Sequence, residues 1–327
     1  MVFLFRDKAI TNIFFLLVLI IAVHFHFFIS PATVTIASNE GFIGILLKKY
    51  IQPLPSAVIF NFYIAIVFLQ AIRLNTALNN LKMFHQQHYT VAMSYILFSG
   101  FFIQWTSITS ALIANFLIIW IYLKLTNLNN HTSPKNTLFN VGLLCGITIL
   151  AYHPTVSLIA IAFFALAIVR PFRIAEWFIL LMGILLPFYL LTAYLYLTDQ
   201  LQLLVQFLPH LQMHLPIDKL NSIAWIGIAV LIITVVLGIY HNQENSGRMV
   251  IHLRKNWGVM FVLLLLMLPI PFIFKSASLD SAVLSLVPLS AFAANFYSYP
   301  KRLLLPNLLF WLSVAFLAYN NWLLVKN

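Results

Sequence analysis

From Ile10 to Ile29 the chain contains no Asp, Glu, Lys or Arg, and within that stretch Ile13 to Ile21 is an unbroken series of aliphatic and aromatic side chains. A run of about 20 apolar residues is the length an α-helix needs to cross the hydrocarbon core of a bilayer. Lipid supplies no partners for backbone N–H and C=O groups, so only helices and closed barrels can span it. Barrel strands alternate apolar and polar residues over about ten positions, and this run does not alternate. Comparable stretches recur along the chain. The approximate spans are 10–30, 56–74, 91–105, 107–125, 138–152, 154–170, 175–198, 222–241, 256–274, 279–297 and 303–324. The expectation is an all-α, polytopic transmembrane bundle of about eleven spans, forming a single integral membrane domain over residues 1–327.

Composition agrees. Only 8% of residues are charged and 62% are hydrophobic, whereas a soluble domain is about one quarter charged. The basic residues lie singly or in pairs between apolar runs, which excludes the basic stripe of a nucleic-acid-binding protein and fits the positive-inside pattern. With the N-terminus in the cytoplasm and eleven crossings, the inside receives Arg6, Lys8, Arg73, Lys82, Lys124, Lys135, Arg170, Arg173, Arg248, Arg254, Lys255, Lys301 and Arg302. The outside receives only Lys48, Lys49, Lys219, Lys275 and Lys326. This partition places the C-terminus outside. The first run is long for a signal peptide and no small-x-small cleavage site closes it, so it reads as a retained helix. The lone Cys145 excludes an intramolecular disulfide.

The closely spaced pairs of spans around Trp105 and around Tyr152-His153-Pro154 read as breaks. Ala92 to Leu125 is too long for one ordinary crossing, and Pro154 disfavours helical geometry at His153. The longer connections fall outside. Ser30 to Ser56 contains Gly41 to Ile51, which reads as a short interfacial helix with Lys48 and Lys49 snorkelling to headgroups. Asp199 to Asn221 is similarly apolar.

Four of the seven acidic residues, Glu40, Asp199, Asp218 and Asp280, fall on the outer side. Interfacial carboxylates are costly unless paired or hydrated, which makes them candidates for chemistry. Glu40 leads as the catalytic candidate, a general base for a hydroxyl acceptor or a ligand for a divalent cation. It also suits the first turn of the 41–51 helix, where an acid complements the helix dipole. His153, Asp199, His210 and His214 are the candidate substrate-binding residues. His153 could bind phosphate or move a proton, or simply bond a free carbonyl beside Pro154. His210 and His214 share a face if their stretch is helical. His24 and His26, two residues apart, make a poor metal pair, and Asp280 reads as a boundary charge at the start of a span. No metal site, cofactor motif, nucleotide-binding loop or nucleophile elbow is present. Arg170-Pro171-Phe172-Arg173-Ile174-Ala175-Glu176-Trp177 is the most distinctive stretch, an inside turn read as a structural motif. In it Glu176 complements a helix N-terminus, an arginine pairs with it and Trp177 anchors the interface.

Tyr152-His153-Pro154, followed by Arg170-Pro171-Phe172, Glu176-Trp177 and Pro187, resembles an uncharacterised multipass inner-membrane family of Bacteroidota. That resemblance implies the inner membrane of a Gram-negative cell. The N-in first span, the interfacial helix in the first outer loop and the second long loop after the seventh span resemble glycosyltransferases of the GT-C type. By that resemblance Glu40 matches the first-loop carboxylate, and outer histidines or basic groups hold a polyprenyl phosphate. The chain departs from the type in lacking paired acids in that loop and a large outer domain. Two readings therefore stand together: a glycosyltransferase or glycan polymerase using polyprenyl-phosphate-linked sugars, and a non-enzymatic scaffold that assembles with an envelope protein partner. A transporter is a third, opposed by the odd span count, the lack of a visible repeat and the scarcity of charge within spans.

Overall fold

The computed structural model describes the chain except for Ile10, residues 37–40, 129–133, 208–223 and 275–277, Lys301 and Asn327. Among the described residues the fold is helical throughout, with one isolated β-bridge, Val34 to Ile108, as its only extended pairing. The elements are α1 (Val2–Phe5), α2 (Thr11–Val23), α3 (Phe42–Leu46), α4 (Ser56–Asn80), α5 (Thr90–Ser99), α6 (Ser110–Asn127) and α7 (Lys135–Ala151). They continue with α8 (Ser157–Val169), α9 (Ile174–Leu197), α10 (Ala224–Ser246), α11 (Ile251–Met267), α12 (Ile270–Ile273), α13 (Leu286–Ser298) and α14 (Leu304–Lys326). Among the described residues six helical segments are long and apolar enough to cross a membrane: Ser56–Asn80, Ser110–Asn127, Ile174–Leu197, Ala224–Ser246, Ile251–Ile273 and Leu279–Ser298. The chain is thus an all-helical protein with several membrane-spanning helices.

The helices form a two-sided bundle, and cross-links between distant loops define its faces. On the N-terminal face Arg6 Nε donates to Tyr297 O at 2.8 Å, Arg170 to Leu128 O at 3.1 Å and Lys255 to Val169 O at 2.8 Å. On the opposite face Trp105 Nε1 donates to Leu279 O at 3.1 Å and Asn321 Nδ2 to Val23 O at 3.0 Å. Each bond satisfies a carbonyl that a helix end or turn leaves without an intrahelical partner.

α5 lies at the centre. All ten of its residues are buried, between α2, α4 and α13. It is much shorter than the 91–105 span the sequence predicts: at 1.5 Å per residue it covers about 15 Å, about half a bilayer core. Gly100 ends it, and a 3-10 turn, Ile103–Thr106, leads to α6. Irregular backbone at membrane depth is tolerated where protein surrounds it, and the burial of this segment meets that condition. Polar side chains inside the bundle bond one another. Tyr95 OH donates to Gln70 Oε1 at 2.8 Å, Gln70 Nε2 to Leu112 O, and Asn115 Nδ2 to Val283 O at 3.0 Å, which ties α5 to α4, α6 and the segment preceding α13.

α7 and α9 make the most extensive helix pair. A Cβ on Gly142, Gly146 or Gly183 would lie 2.3–2.5 Å from a backbone carbonyl oxygen of the partner helix. Small residues four apart let two backbones approach in this way.

The predicted break at Tyr152-His153-Pro154 is present: α7 ends at Ala151, Tyr152 is extended, and a 3-10 turn spans His153–Val156. The extended residue is Tyr152, one position earlier than Pro154 alone dictates. The predicted first run also divides, with α2 ending at Val23 and a 3-10 turn over Phe25–Phe28.

Candidate functional site

The face opposite the N-terminus holds two neighbouring groups of side chains, joined by the first long loop. The first group surrounds a cavity of about 400 Å³, lined by His26, Ser30, Thr33, Thr35, Gln104, Thr106, Ser107 and Asp280, with apolar wall from Phe27, Pro31 and Ile103. Several local structures build it. His24, buried at the end of α2, has Nδ1 3.0 Å from Ile20 O, and a carbonyl can only accept, so Nδ1 carries the hydrogen. Nε2 lies 3.1 Å from the Tyr63 hydroxyl oxygen, and that hydroxyl donates its hydrogen to Trp105 O at 2.9 Å. α2, α4 and the turn before α6 are thereby held together. The turn at Phe25–Phe28 carries His26 into the cavity wall, where it is 3% exposed and its Nδ1 has no hydrogen-bond partner among the described residues.

The second wall is stitched on by backbone. Ile108 N donates to Thr33 O at 3.0 Å and Thr35 N to Ile108 O at 3.2 Å, forming the isolated bridge. Thr35 Oγ1 and Ser107 Oγ share a hydrogen bond of 2.8 Å. The alternation of Thr33, Val34 and Thr35 faces both hydroxyls the same way, as extended backbone requires. Asp280 enters from the 3-10 turn Ser278–Ser285, the first turn of which is held by the Trp105 bond to Leu279 O.

The second group lies where the first loop reaches α7. Gly41 adopts φ +109°, and a Cβ there would sit 2.6 Å from Leu150 O and 2.7 Å from Ala151 O. Only glycine fits this combination of left-handed backbone and close approach. Phe42 stacks on Phe207 at 4.8 Å between ring centroids, and Phe207 meets the His153 ring edge-on at 6.5 Å. The first loop, the break after α7 and the 3-10 turn Leu201–Phe207 after α9 therefore converge. His153 is buried, with Nδ1 3.1 Å from Ile149 O, so that nitrogen donates to the carbonyl freed by the break.

Of the residues singled out from sequence, Glu40, His210 and His214 lie outside the described residues. His153 joins the convergence of loops beside Gly41, the residue that follows Glu40. Asp199 stands exposed at the end of α9 with φ +54°, and no described contact joins it to His153. The segment from Gly41 to Ile51 is helical as expected, α3 continuing as a single π turn. It exposes Phe42, Ile45, Leu46 and Tyr50 while burying Ile43, Gly44 and Leu47.

The Arg170–Glu176 motif lies on the N-terminal face. Arg170 Nε and Glu176 Oε2 are 3.1 Å apart, with the two side chains only 14% and 6% exposed. Pro171 and Phe172 make the turn between the two helices, and Trp177 packs on Phe163 and Phe172 at centroid distances of 5.3 and 5.2 Å.

Sequence reasoning set His26 aside as half of a poor metal pair and Asp280 as a boundary charge. The signal was available: Thr33-Val34-Thr35 and Thr106-Ser107-Ile108-Thr109-Ser110 are hydroxyl clusters in a chain otherwise dominated by apolar residues. Among the described residues no group of three His, Cys, Asp or Glu side chains could hold a metal ion.

The fold and this face define a helical membrane protein with a polar cavity at one end of its bundle. The chain belongs to the family of unknown function DUF6427, whose model matches residues 7–323. That assignment agrees with the sequence-level resemblance to a domain of unknown function. No curated protein and no solved structure matches the chain.

Proposed function

We propose that the protein crosses the bacterial inner membrane eleven times with its N-terminus cytoplasmic and its C-terminus periplasmic, and that the periplasmic face transfers a glycosyl unit carried on polyprenyl phosphate. The observation that carries this reading is the cavity itself: about 400 Å³, rich in hydroxyl groups and containing a carboxylate and an imidazole. Such a lining suits a polyhydroxylated substrate, because each Ser or Thr both donates and accepts. The exposed apolar side of the 42–51 helix supports an interfacial position from which a lipid-linked donor is within reach. Thirteen of the 18 basic residues fall on the N-terminal side under this topology, which supports its cytoplasmic placement.

In the proposed reaction a carboxylate, Glu40 or Asp280, takes the proton of the acceptor hydroxyl. The acceptor oxygen forms a bond to the anomeric carbon, and the bond from that carbon to the phosphate oxygen breaks. The polyprenyl phosphate leaves with the electron pair. Thr33, Thr35 and Thr106 would orient sugar hydroxyls, and His26 Nδ1 would exchange a hydrogen bond with one of them. The reaction as written requires no metal, and a divalent cation bound by Glu40 would serve to neutralise the leaving phosphate.

The test is turnover of a polyprenyl-phosphate-linked hexose by protein reconstituted in vesicles, with Glu40→Gln and Asp280→Asn measured beside the unaltered chain. The expected result is loss of turnover of 10²-fold or more in at least one variant, with protein level and thermal midpoint unchanged. Equal turnover in all three, or none in any, would remove the proposal. Absence of turnover together with stoichiometric co-purification of an envelope protein would establish the scaffold reading in its place.

A further inference from the structure

The N-terminal face holds a second cavity, of about 420 Å³, at the hairpin between α10 and α11. Helices joined by so short a turn ordinarily pack on each other, but both of these pack on α13, where Phe292 meets Trp257 and Phe261 of α11. α10 presses closest where Gly238 meets Phe292, a Cβ at Gly238 being only 2.0 Å from Phe292 O. The gap between the helices is therefore a groove with Phe292 in its floor, and Trp257 and Phe261 along the α11 side. Its outer margins are lipid-facing: Val236 and Tyr240 on α10, and Phe261 and Leu265 on α11, are all exposed apolar side chains.

The end of the groove is polar, with Asn242, Gln243, Ser246 and Arg254. Among the described residues Arg254 has no acidic partner. The carboxylate nearest in sequence, Glu244, is exposed and lies 3.5 Å from His241 Nδ1. Asn242 is 8% exposed, and its Oδ1 is buried with no hydrogen-bond partner among the described residues. Buried amide oxygens are almost always satisfied, so this one is open to a donor from a bound molecule. The site thus offers a guanidinium for an anion, an acceptor for a hydroxyl and an apolar channel open to lipid.

We propose that this groove binds an anionic phospholipid of the adjoining leaflet, its phosphate on Arg254, a headgroup hydroxyl donating to Asn242 and an acyl chain along Phe261 and Phe292. Arginine suits phosphate because its planar fork presents two parallel donors, and basic pockets between transmembrane helices are recurrent headgroup sites. The site is independent of the cavity on the other face and rests only on the membrane-protein reading.

Native mass spectrometry of the full chain in detergent tests this with phosphatidylglycerol, phosphatidic acid, phosphatidylcholine and inorganic phosphate as probes. Phosphatidylglycerol is expected to bind about tenfold more tightly than phosphatidylcholine. Arg254→Gln should abolish that preference, and Arg254→Lys, which keeps the charge, should retain part of it. Arg248→Gln, on the same hairpin but outside the groove, should leave it intact. Asn242→Leu should weaken phosphatidylglycerol but not phosphatidic acid, which has no glycerol headgroup hydroxyl. Equal binding of phosphatidylglycerol and phosphatidylcholine would overturn the proposal, as would equal losses in the Arg248 and Arg254 variants. Displacement of the lipid by millimolar inorganic phosphate would assign the site to free phosphate.

Discussion

Replacing Gly142 with alanine tests whether the contact between α7 and α9 is set by the absence of a side chain. In an unconstrained helix interior the substitution is stabilising, by about 0.5–1 kcal/mol, because alanine has less backbone entropy to lose. Here the added Cβ would lie 2.3 Å from Leu180 O and 3.0 Å from Gly183 Cα. An ordinary non-bonded contact is about 3.5 Å, so the helices must separate locally by about 1 Å. A gap of that size forfeits a quarter to a half of the dispersion energy of each neighbouring contact. Overpacking of this kind costs about 1–3 kcal/mol, and set against the propensity gain it leaves a net loss of about 1–2 kcal/mol. The chain supplies its own reporter: its one cysteine, Cys145, is buried on α7 between Gly142 and Gly146. A thiol-reactive fluorophore added during a thermal ramp in detergent labels it as the helix pair opens. Gly142→Ala should lower the labelling midpoint by a few degrees. Gly247→Ala, where nothing lies within 4 Å of the added carbon, should not lower it. A raised midpoint for Gly142→Ala would show that the close approach is not holding the pair together.

Glu176→Gln removes the charge facing Arg170 in a setting shielded from solvent, and the same labelling assay should show a loss of about 3 kcal/mol; an unchanged midpoint would mark the pair as dispensable. His88, in the connection between α4 and α5, is held by burial well below the usual histidine range, at about 4, with Thr90 Oγ1 2.8 Å from its Nδ1. Unfolding therefore takes up a proton between pH 6.5 and 4, so stability should fall as pH falls through that window, by on the order of 3 kcal/mol. His88→Gln should flatten that slope in acid-unfolding curves, and an unaltered slope would refute the assignment. Gly41→Ala should displace the first loop from Leu150 and Ala151, seen as faster hydrogen exchange over 41–51 with α4 and α6 unaffected.

The helical bundle could be read from sequence because apolar runs and their punctuation are local properties. Pro154 marks the break after α7, and Arg170 and Glu176 announce a paired turn within six residues of each other. The length of α5 could not be read in the same way. Val91 to Trp105 is apolar enough to span, and what shortens it is encirclement by α2, α4 and α13, a tertiary fact. His26 and Asp280 were hidden for a related reason. They are far apart in the chain and come together because the β-bridge at Val34 and the Trp105 bond fold their segments onto one cavity. Gly142 and Gly146, four apart on α7, carried a packing signal that needs no structure to notice, although it does not identify α9 as the partner.

The central position of α5 bears on how the protein is made. A ten-residue helix is too short to be held in lipid by its own length, so it relies on neighbours that emerge from the ribosome at different times. α2 and α4 precede it, but α13 follows by almost two hundred residues. A nascent chain arrested ahead of Leu286 would leave the side of α5 that meets α13 without its final cover. Assembly of the interior is therefore completed after most of the chain has been inserted, and an accessory insertase or chaperone would have its greatest effect during that interval.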